Sequence, residues 1–341
     1  WLGLPSFGSA PETGLQLGFT VLTLGGTRAN DPTRPTGASL YALRSARRQT
    51  RIGLDLERWW PGNTRRLTIS ASALEYPLSF YGIGDRTTLA QEERYTPRSL
   101  EGYVQVDERF RGAWYALVGA RFGDQSVTTQ SPGLLASGAL TGAHYTRTVI
   151  LTAGVSHDTR DNVVATYRGH YASVAYGRSV PALGATSSYG RFNAELRGYR
   201  PLVGTHILAA QLVVVGADGD VPFDQLPVIG GSGIMRGYSS GRFRDKVVTA
   251  AQGEYRTPLL PLPFLPGPLK RVAVGGVAFA GVGYAVPTLS ADAWRAARAL
   301  PSVGYGVRVQ VDPVQRSAFR LDSAFGRYGF SGLYIGFNQA F

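Results

Sequence analysis

Cysteine is missing from the 341-residue chain, which excludes both a disulfide framework and a thiolate metal site. Lysine is nearly missing too, since Lys246 and Lys270 are the only two, and the formal net charge of +12 comes from arginine. The arginines are spread along the chain and not clustered, which argues against nucleic acid as a partner. Charged residues make up 17% of the chain, below the roughly 25% of an average soluble protein. No apolar run approaches the ~20 residues that a membrane-spanning helix needs.

What the chain does have is a pattern with a period of two. Between Val303 and Asp312, apolar side chains take the odd positions, while Gly, Arg, Gln and Asp take the even ones. The segments 51–57, 100–109 and 189–199 alternate in the same way. Such alternation predicts strands with one apolar and one polar face. The apolar faces lack the dense Leu, Ile and Phe of a two-sheet core. We therefore prefer a membrane barrel, apolar toward lipid and polar toward a lumen, over a soluble sandwich.

Sixteen strands are predicted, and bacterial single-chain barrels have an even number. They lie near residues 2–9, 15–24, 37–45, 49–58, 65–74, 100–109, 113–122, 144–156, 168–178, 188–199, 204–215, 247–256, 271–283, 302–311, 317–326 and 332–341. We therefore predict an all-β fold, a single 16-stranded antiparallel transmembrane β-barrel of the bacterial outer membrane that spans residues 1–341.

The connections alternate in length, with short ones expected on the periplasmic side and long ones outside. The short connections are Trp60–Asn63, Phe110–Gly112, Pro201–Val203 and Pro313–Arg316. The long connections are Glu75–Ser99, Gly123–Ala143, Gly216–Asp245 and Tyr284–Pro301. Both ends of the chain are then expected in the periplasm.

The loop within Gly216–Asp245 is unusual because it is rich in Gly and Arg and also carries large apolar residues. A loop of this length is normally functional or disordered. A disordered loop would not be expected to contain Ile234, Met235, Tyr238 and Phe243. We therefore expect the loop to fold back into the lumen of the barrel and to hold an arginine there.

The last segment ends in an aromatic residue on an alternating strand. Leu333, Ile335, Phe337 and Phe341 are expected to share one face. A strand that ends in Phe resembles the signal that outer-membrane barrels present to their assembly machinery. We name Phe337 and Phe341 as this terminal strand signal.

These features resemble the BamA/TamA superfamily of outer-membrane assembly and translocation proteins, also called the bacterial surface antigen family. That family carries an Arg-Gly-Phe/Tyr tripeptide on a lumen-folded loop, here Arg236-Gly237-Tyr238. The resemblance covers nearly the whole chain. Its further matches are Pro11–Gly14, Phe80–Gly84, His157–Asp161, Glu254–Arg256 with Pro258, Arg320–Asp322 and the closing segment from Ile335-Gly336 to Phe341.

The resemblance implies a non-enzymatic function, the insertion or translocation of proteins at the outer membrane. It also implies outer-membrane lipid, other subunits of a complex and unfolded protein clients as partners. The family's periplasmic POTRA domains are expected to be absent here, because alternating strands begin almost at Trp1. The implied route is a weak seam between the first and the last strand.

One departure from the family pattern concerns the partner of the loop arginine. Members often place an Asp, in Phe-x-Asp, on the strand after that of Glu254, but this chain has Phe279-Ala280-Gly281 there. A buried guanidinium without a partner would be costly. Glu254 and Asp322 face inward by parity, and we predict that one of them accepts hydrogen bonds from Arg236.

Other residue patterns have plainer interpretations. Residues 237–241 match the G-x-S-x-G nucleophile elbow, but that motif needs a strand, turn and helix. The four histidines do not occur at metal-ligand spacing, and we expect neither a metal nor a cofactor. The inward carboxylates are expected to be counter-charges of lumenal arginines and not catalytic pairs; they are Asp55, Glu57, Glu101, Asp107 and Glu195.

Three alternatives to an assembly role stay open. The barrel could be a passive pore or a structural barrel. It could be the barrel part of a longer protein with a patatin-like lipase. A membrane hydrolase that uses Ser239 or Ser240 is the third.

Overall fold

A computed structural model of the chain describes residues 2–10, 13–25, 33–264, 266, 271–312 and 316–341. The described residues form a closed antiparallel barrel, as the period of two predicted. Its strands are β1 (Leu2–Ala10), β2 (Gly14–Gly25), β3 (Thr36–Ser45), β4 (Thr50–Trp59), β5 (Arg65–Glu75), β6 (Glu93–Arg111), β7 (Trp114–Thr129), β8 (Tyr145–Asp158), β9 (Gly169–Ser179), β10 (Tyr189–Pro201), β11 (Ile207–Gly219), β12 (Val247–Arg256), β13 (Ala273–Val286), β14 (Leu300–Asp312), β15 (Ser317–Gly326) and β16 (Gly329–Phe337).

Each strand pairs with its neighbour in sequence, and β1 closes the barrel against β16. The short segments Leu78–Phe80 and Leu260–Pro261 extend the pairing of β6 and β13. The predicted count of sixteen membrane-crossing strands is confirmed. We call the end that carries both chain termini the periplasmic end and the opposite end the outer end.

The predicted alternation of connection lengths holds only in part. The connections 159–168 and 257–272 at the periplasmic end are long, while 46–49 and 327–328 at the outer end are short. The predicted turns at Pro11–Gly14 and Pro313–Arg316 lie partly outside the described residues, which omit 11–12 and 313–315.

Several strand ends differ from the prediction. β6 and β7 run to Glu93 and Thr129 because they continue to pair with each other beyond the outer rim. β11 continues to Gly219, so the long loop begins at residue 220 and not at Gly216. The last strand covers Gly329–Phe337 and does not reach Phe341.

The two faces of the strands divide as the alternation requires. Leu17 and Phe19 point outward and are 58% and 53% exposed in the isolated chain, as expected for side chains that face lipid. The long outer loop before β14 contains a short helix, Ala291–Ala296, capped by Ser290. Among the described residues, no helix is long and apolar enough to cross a bilayer.

Candidate functional site

The long loop between β11 and β12 places Arg236 inside the barrel. Its Nη1 donates to Asp322 Oδ2 at 2.6 Å, and its Nη2 donates to Glu254 Oε1. The arginine and both carboxylates are completely buried. Glu254 lies on β12 and Asp322 on β15, so one guanidinium links two strands that have two others between them. These are the two acceptors that parity named from the sequence.

The wall beneath the guanidinium is shaped by an aromatic ring and by glycine. The Arg236 guanidinium carbon lies 3.6 Å from the centre of the Phe279 ring on β13. On β14, a Cβ at Gly304 would overlap the Phe279 ring, and a Cβ at Gly306 would overlap the Asp322 carboxylate. Both positions therefore need glycine for the ring and the carboxylate to lie flat against the wall.

Gly281 stands where the family pattern often has the acceptor aspartate. A Cβ at Gly281 would lie 3.1 Å from the Met235 sulfur and 2.9 Å from the Ala251 carbonyl oxygen. Met235, with a φ of 59°, therefore fills the space that an aspartate side chain would need. This packing explains why the arginine's second acceptor lies on β15 instead of β13.

More arginines surround the two carboxylates. Arg256 donates to Glu254 Oε2 through Nε at 2.9 Å and through Nη2 at 2.8 Å. Arg308 donates to Asp322 Oδ1 at 2.5 Å. Arg320 is also buried, with its Nε 3.8 Å from Asp322 Oδ2, and its Nε and Nη1 have no hydrogen-bond partner among the described residues. With Arg236, the cluster holds four guanidinium groups against two carboxylates and carries an excess of positive charge.

The loop tripeptide also holds the last hairpin from inside. The N–H of Gly237 donates to Tyr334 Oη on β16 at 3.0 Å, and that hydroxyl donates to the Tyr238 carbonyl at 3.1 Å. The N–H of Arg327, in the β15–β16 turn, donates to Tyr238 Oη at 3.0 Å. A Cβ at Gly237, whose φ is 111°, would press on the Phe325 carbonyl, so the tripeptide lies directly on β15. Sequence reasoning missed Tyr334, although its parity placed it inward.

The apolar residues of the loop form a small core with the barrel wall. Met235, Tyr238 and Phe243 are buried, and Ile234 packs against them. The other members of this cluster are Ile229, Val248, Ala250, Ala285 and Leu300. The burial of this apolar surface explains why so long a loop is ordered.

The end of the chain departs from the predicted strand. Phe337 faces lipid and contacts Phe319 edge-on, with ring centres 5.1 Å apart. Asn338 then takes a φ of 64°, which ends the strand and turns the chain inward. Phe341 is consequently buried in the lumen against Tyr199 and Ala209. The expectation that Phe341 shares a face with Phe337 is therefore wrong.

The residues after β16 are bound by arginines of the lumenal cluster. The Phe341 carbonyl accepts from Arg256 Nη2 at 2.9 Å. The Gln339 side-chain oxygen accepts from Arg308 Nε at 2.8 Å. We call residues 338–341 the C-terminal tail.

The junction between β1 and β16, which we call the seam, is thinly paired. Ser9↔Ile335 is the one register pair between the two strands in the described part of the chain. On the lipid side, the ring of Phe7 on β1 stacks on Phe319 at 5.3 Å.

A periplasmic turn, residues 159–168, folds under the lumen. Asp161 accepts from Arg316 Nη1 at 2.7 Å and from the backbone N–H groups of Tyr167 and Arg168. Burial acts to raise the pKa of the Asp161 carboxyl, but these hydrogen bonds outweigh it and hold that pKa below its usual value. The turn is therefore tied to the β14–β15 connection by a charged carboxylate.

The remaining sequence-predicted residues lie apart from this cluster. Among the inward carboxylates, Asp107 and Glu195 pair with Arg66 and Arg197, as counter-charges should. Asp55 and Glu57 instead accept from Ser70 and Trp59. In the described ranges, no group of three His, Asp or Glu side chains is arranged to hold a metal ion.

The segment 237–241 lies in a loop of turns and bends. It is not the junction of a strand and a helix that a nucleophile elbow requires. Its Ser239 and Ser240 line an outer cavity with Tyr81, Arg47 and Arg48.

Comparison with known proteins extends these observations. Residues 34–328 match the model of the Omp85 superfamily domain. A search of curated proteins finds no match. Among solved structures, BamA from Haemophilus ducreyi lacking POTRA domains 1–3 is similar, with 13% identity, a TM-score of 0.61 and coverage of 98% of this chain and 70% of that one.

Two CdiB structures are also similar. CdiB from Escherichia coli has 13% identity and a TM-score of 0.65, over 98% of this chain and 62% of that one. CdiB from Acinetobacter baumannii has 14% identity and a TM-score of 0.59, over 98% of this chain and 58% of that one. The chain thus spans less than two thirds of either CdiB chain, and at these identities the likeness shows the fold alone.

Proposed function

Because the chain belongs to the Omp85 superfamily, whose barrels lie in the bacterial outer membrane, we propose that it inserts or translocates protein substrates there together with partner proteins. Omp85 barrels are in general transporters or insertases and not enzymes. In this proposal the seam between β1 and β16 opens toward the membrane, and the lumen-folded loop controls how far β16 moves.

The observation that carries the proposal is the thin pairing of the seam. β1 has nine register pairs with β2 but one described pair with β16. Each missing pair removes main-chain hydrogen bonds that elsewhere close the barrel. Among the described strand pairs, the seam is therefore the one whose opening costs least.

The position of the tripeptide supports a role for the loop in this opening. Gly237 and Tyr238 bond to Tyr334 on β16, while the described loop residues make no corresponding bond to β1. Arg236 adds a buried charge-assisted bond to Asp322 on the adjacent β15. The loop thus holds one side of the seam and leaves the other side free.

A disulfide across the seam tests the proposal. Ser9 and Ile335 are register partners in an antiparallel pair, so their Cα atoms lie within the range that a disulfide spans. The chain contains no cysteine, so a Ser9→Cys/Ile335→Cys variant carries only the new pair. We expect the oxidised variant to lose insertion or translocation in reconstituted vesicles and to regain it after reduction.

The matched control moves the disulfide to the neighbouring hairpin. Ser9 also pairs with Leu15 on β2, so Ser9→Cys/Leu15→Cys shares one substitution and leaves the seam unlocked. This control is expected to be active in both redox states. Full activity of the oxidised seam variant would contradict the proposal.

A passive pore is the second candidate, and one observation favours it. A cavity of about 230 Å³ lies on the lumenal face of β4 to β7, lined by Arg51, Glu101 and Arg121. A water-filled path along this wall would pass ions without any movement of the seam. Planar-bilayer recordings separate the two functions, since large steady channels indicate a pore and small flickering ones indicate a plugged barrel.

A further inference from the structure

A third cavity, of about 390 Å³, opens at the periplasmic end of the lumen. It lies between the ends of β11 to β15 and the periplasmic segments 159–168 and 257–261. Arg256, Arg271, Arg308 and Arg316 line it together with apolar side chains such as Ile207 and Val277. The cavity is therefore both basic and apolar, and it is open to the compartment in which unfolded outer-membrane proteins arrive.

Three of the four arginines of this cavity pair with carboxylates that do not line it. No acidic side chain lines it in the described part of the chain. The carboxylates that pair with Arg256, Arg308 and Arg316 are those of Glu254, Asp322 and Asp161, respectively.

Arg271 differs from the other three arginines. It is exposed at the rim of the cavity, whereas Arg256 and Arg308 are buried. An anion from outside the chain can therefore reach its guanidinium.

The C-terminal tail shows what kind of group the cavity accepts. Gln339 lines the cavity, and its amide oxygen accepts from Arg308. The Phe341 carbonyl accepts from Arg256, and the Phe341 ring packs beside it against Tyr199. Two arginines thus already bind polypeptide through a side-chain amide and a main-chain carbonyl.

We propose that this cavity binds an extended acidic peptide segment. A carboxylate of the peptide pairs with Arg271, and apolar side chains of the peptide contact Ile207 and Val277. The C-terminal tail occupies part of the same site and competes with the peptide. The inference rests on the proposed function for the source of the peptide, which is a client protein entering from the periplasm.

Peptide binding to the purified barrel in lipid nanodiscs tests this inference. The probe is a fluorescent peptide of alternating Asp and Val, and its control is the same peptide with Asn in place of Asp. We expect the acidic peptide to bind at least about tenfold more tightly, because hydrogen bonds to charged groups are the stronger ones. Fluorescence anisotropy measures both affinities.

Two matched variants locate the binding. Arg271→Glu is expected to weaken the acidic peptide by about tenfold or more, since it reverses the charge at the rim. Arg111→Glu makes the same charge change at an exposed position on another periplasmic turn, and it is expected to leave binding unchanged. Gln339→Ala removes the amide that occupies Arg308 and is expected to strengthen binding.

Three results would overturn the inference. Equal affinity for the Asp and Asn peptides would show that the cavity does not distinguish a charged peptide from a neutral one. Equal losses in Arg271→Glu and Arg111→Glu would place the binding elsewhere. Displacement of the peptide by inorganic phosphate at an equal concentration would reduce the cavity to a simple anion site. Peptide binding is measured without an assay of insertion or translocation. The peptide site can therefore be confirmed even if the disulfide across the seam does not block activity, and the proposed function can be confirmed even if the peptide does not bind.

Discussion

The closing strand β16 is bonded very differently along its two edges. Toward β15 it has eight register pairs, from Phe319↔Phe337 to Gly326↔Gly329. Toward β1 it has one described pair. A uniform barrel would bond both edges alike, because every unpaired backbone group in a bilayer is costly. The seam is therefore held mainly by side-chain contacts. It can open without breaking a long series of main-chain hydrogen bonds.

The side chains that compensate act on both faces of β16. On the lipid face, Phe7 stacks on Phe319 across the seam. On the lumenal face, Tyr334 is bonded to the loop tripeptide. The strongly paired edge has in addition the buried ion pair of Arg236 with Asp322. Each of these supports can be removed separately.

Among the variants that test how the two edges of β16 are held, removal of Arg236 is expected to have the largest effect. Arg236→Ala leaves Glu254 and Asp322 buried with one partner fewer and frees the loop from β15. We expect the barrel to lose about 3–6 kcal/mol of unfolding free energy, because two buried hydrogen bonds to charged groups are lost, at about 1.5–3 kcal/mol each. Urea unfolding in detergent, followed by tryptophan fluorescence, measures the loss.

The control for this variant is another lumenal arginine. Arg121 lies on β7, stacks on Tyr103 and has no ion pair within the described ranges. Arg121→Ala is expected to cost about 1 kcal/mol or less, the value of a cation–π contact. Similar losses of unfolding free energy in the two variants would mean that the ion pairs of Arg236 contribute no more than the cation–π contact of Arg121.

Removal of one hydroxyl has the next largest effect, on the lumenal support of β16. Tyr334→Phe leaves the buried Gly237 N–H without its acceptor, which costs about 1–3 kcal/mol. We expect faster backbone hydrogen exchange in β16 (Gly329–Phe337), because this strand would then be loosely held along both of its edges. The lipid-facing Tyr305→Phe on β14 is the control, and unchanged exchange in β16 would show that the loop does not support it.

Removal of the ring at the seam has the smallest effect. Phe7→Ala loses its stacking on Phe319, worth about 0.5–1.5 kcal/mol, while the lipid replaces the lost apolar contact. We expect the Ser9→Cys/Ile335→Cys pair to form its disulfide more slowly in this background. Phe122→Ala, on the lipid face of β7, should not change the rate; an equal slowing there would point to a general loss of order.

Most of the barrel was predictable because the alternation of apolar and polar residues along a strand is a local property of the sequence. A period of two is visible within one strand, so all sixteen strands and the inward parity of Glu254 and Asp322 follow from sequence. Phe341 was misplaced because parity assumes a continued strand, and Asn338 breaks it with a left-handed backbone. The bond of Tyr334 to the loop was not predictable, since it depends on how a segment almost a hundred residues away folds back.

The side-chain hydroxyl of Tyr334 couples the loop to the last strand. This coupling has a consequence for ligands that bind on the outer side of the membrane. The hydroxyl accepts a hydrogen bond from the Gly237 N–H and donates one to the Tyr238 carbonyl, so the positions of loop and strand are thermodynamically linked. The same loop also contacts the outer loop of residues 76–92, where the buried Arg242 donates to Thr87. By linkage, a molecule that binds the loop from outside and favours one of its positions must shift the seam equilibrium. The seam must act back on the affinity of that molecule by the same factor, so an extracellular binder can report on events inside the membrane.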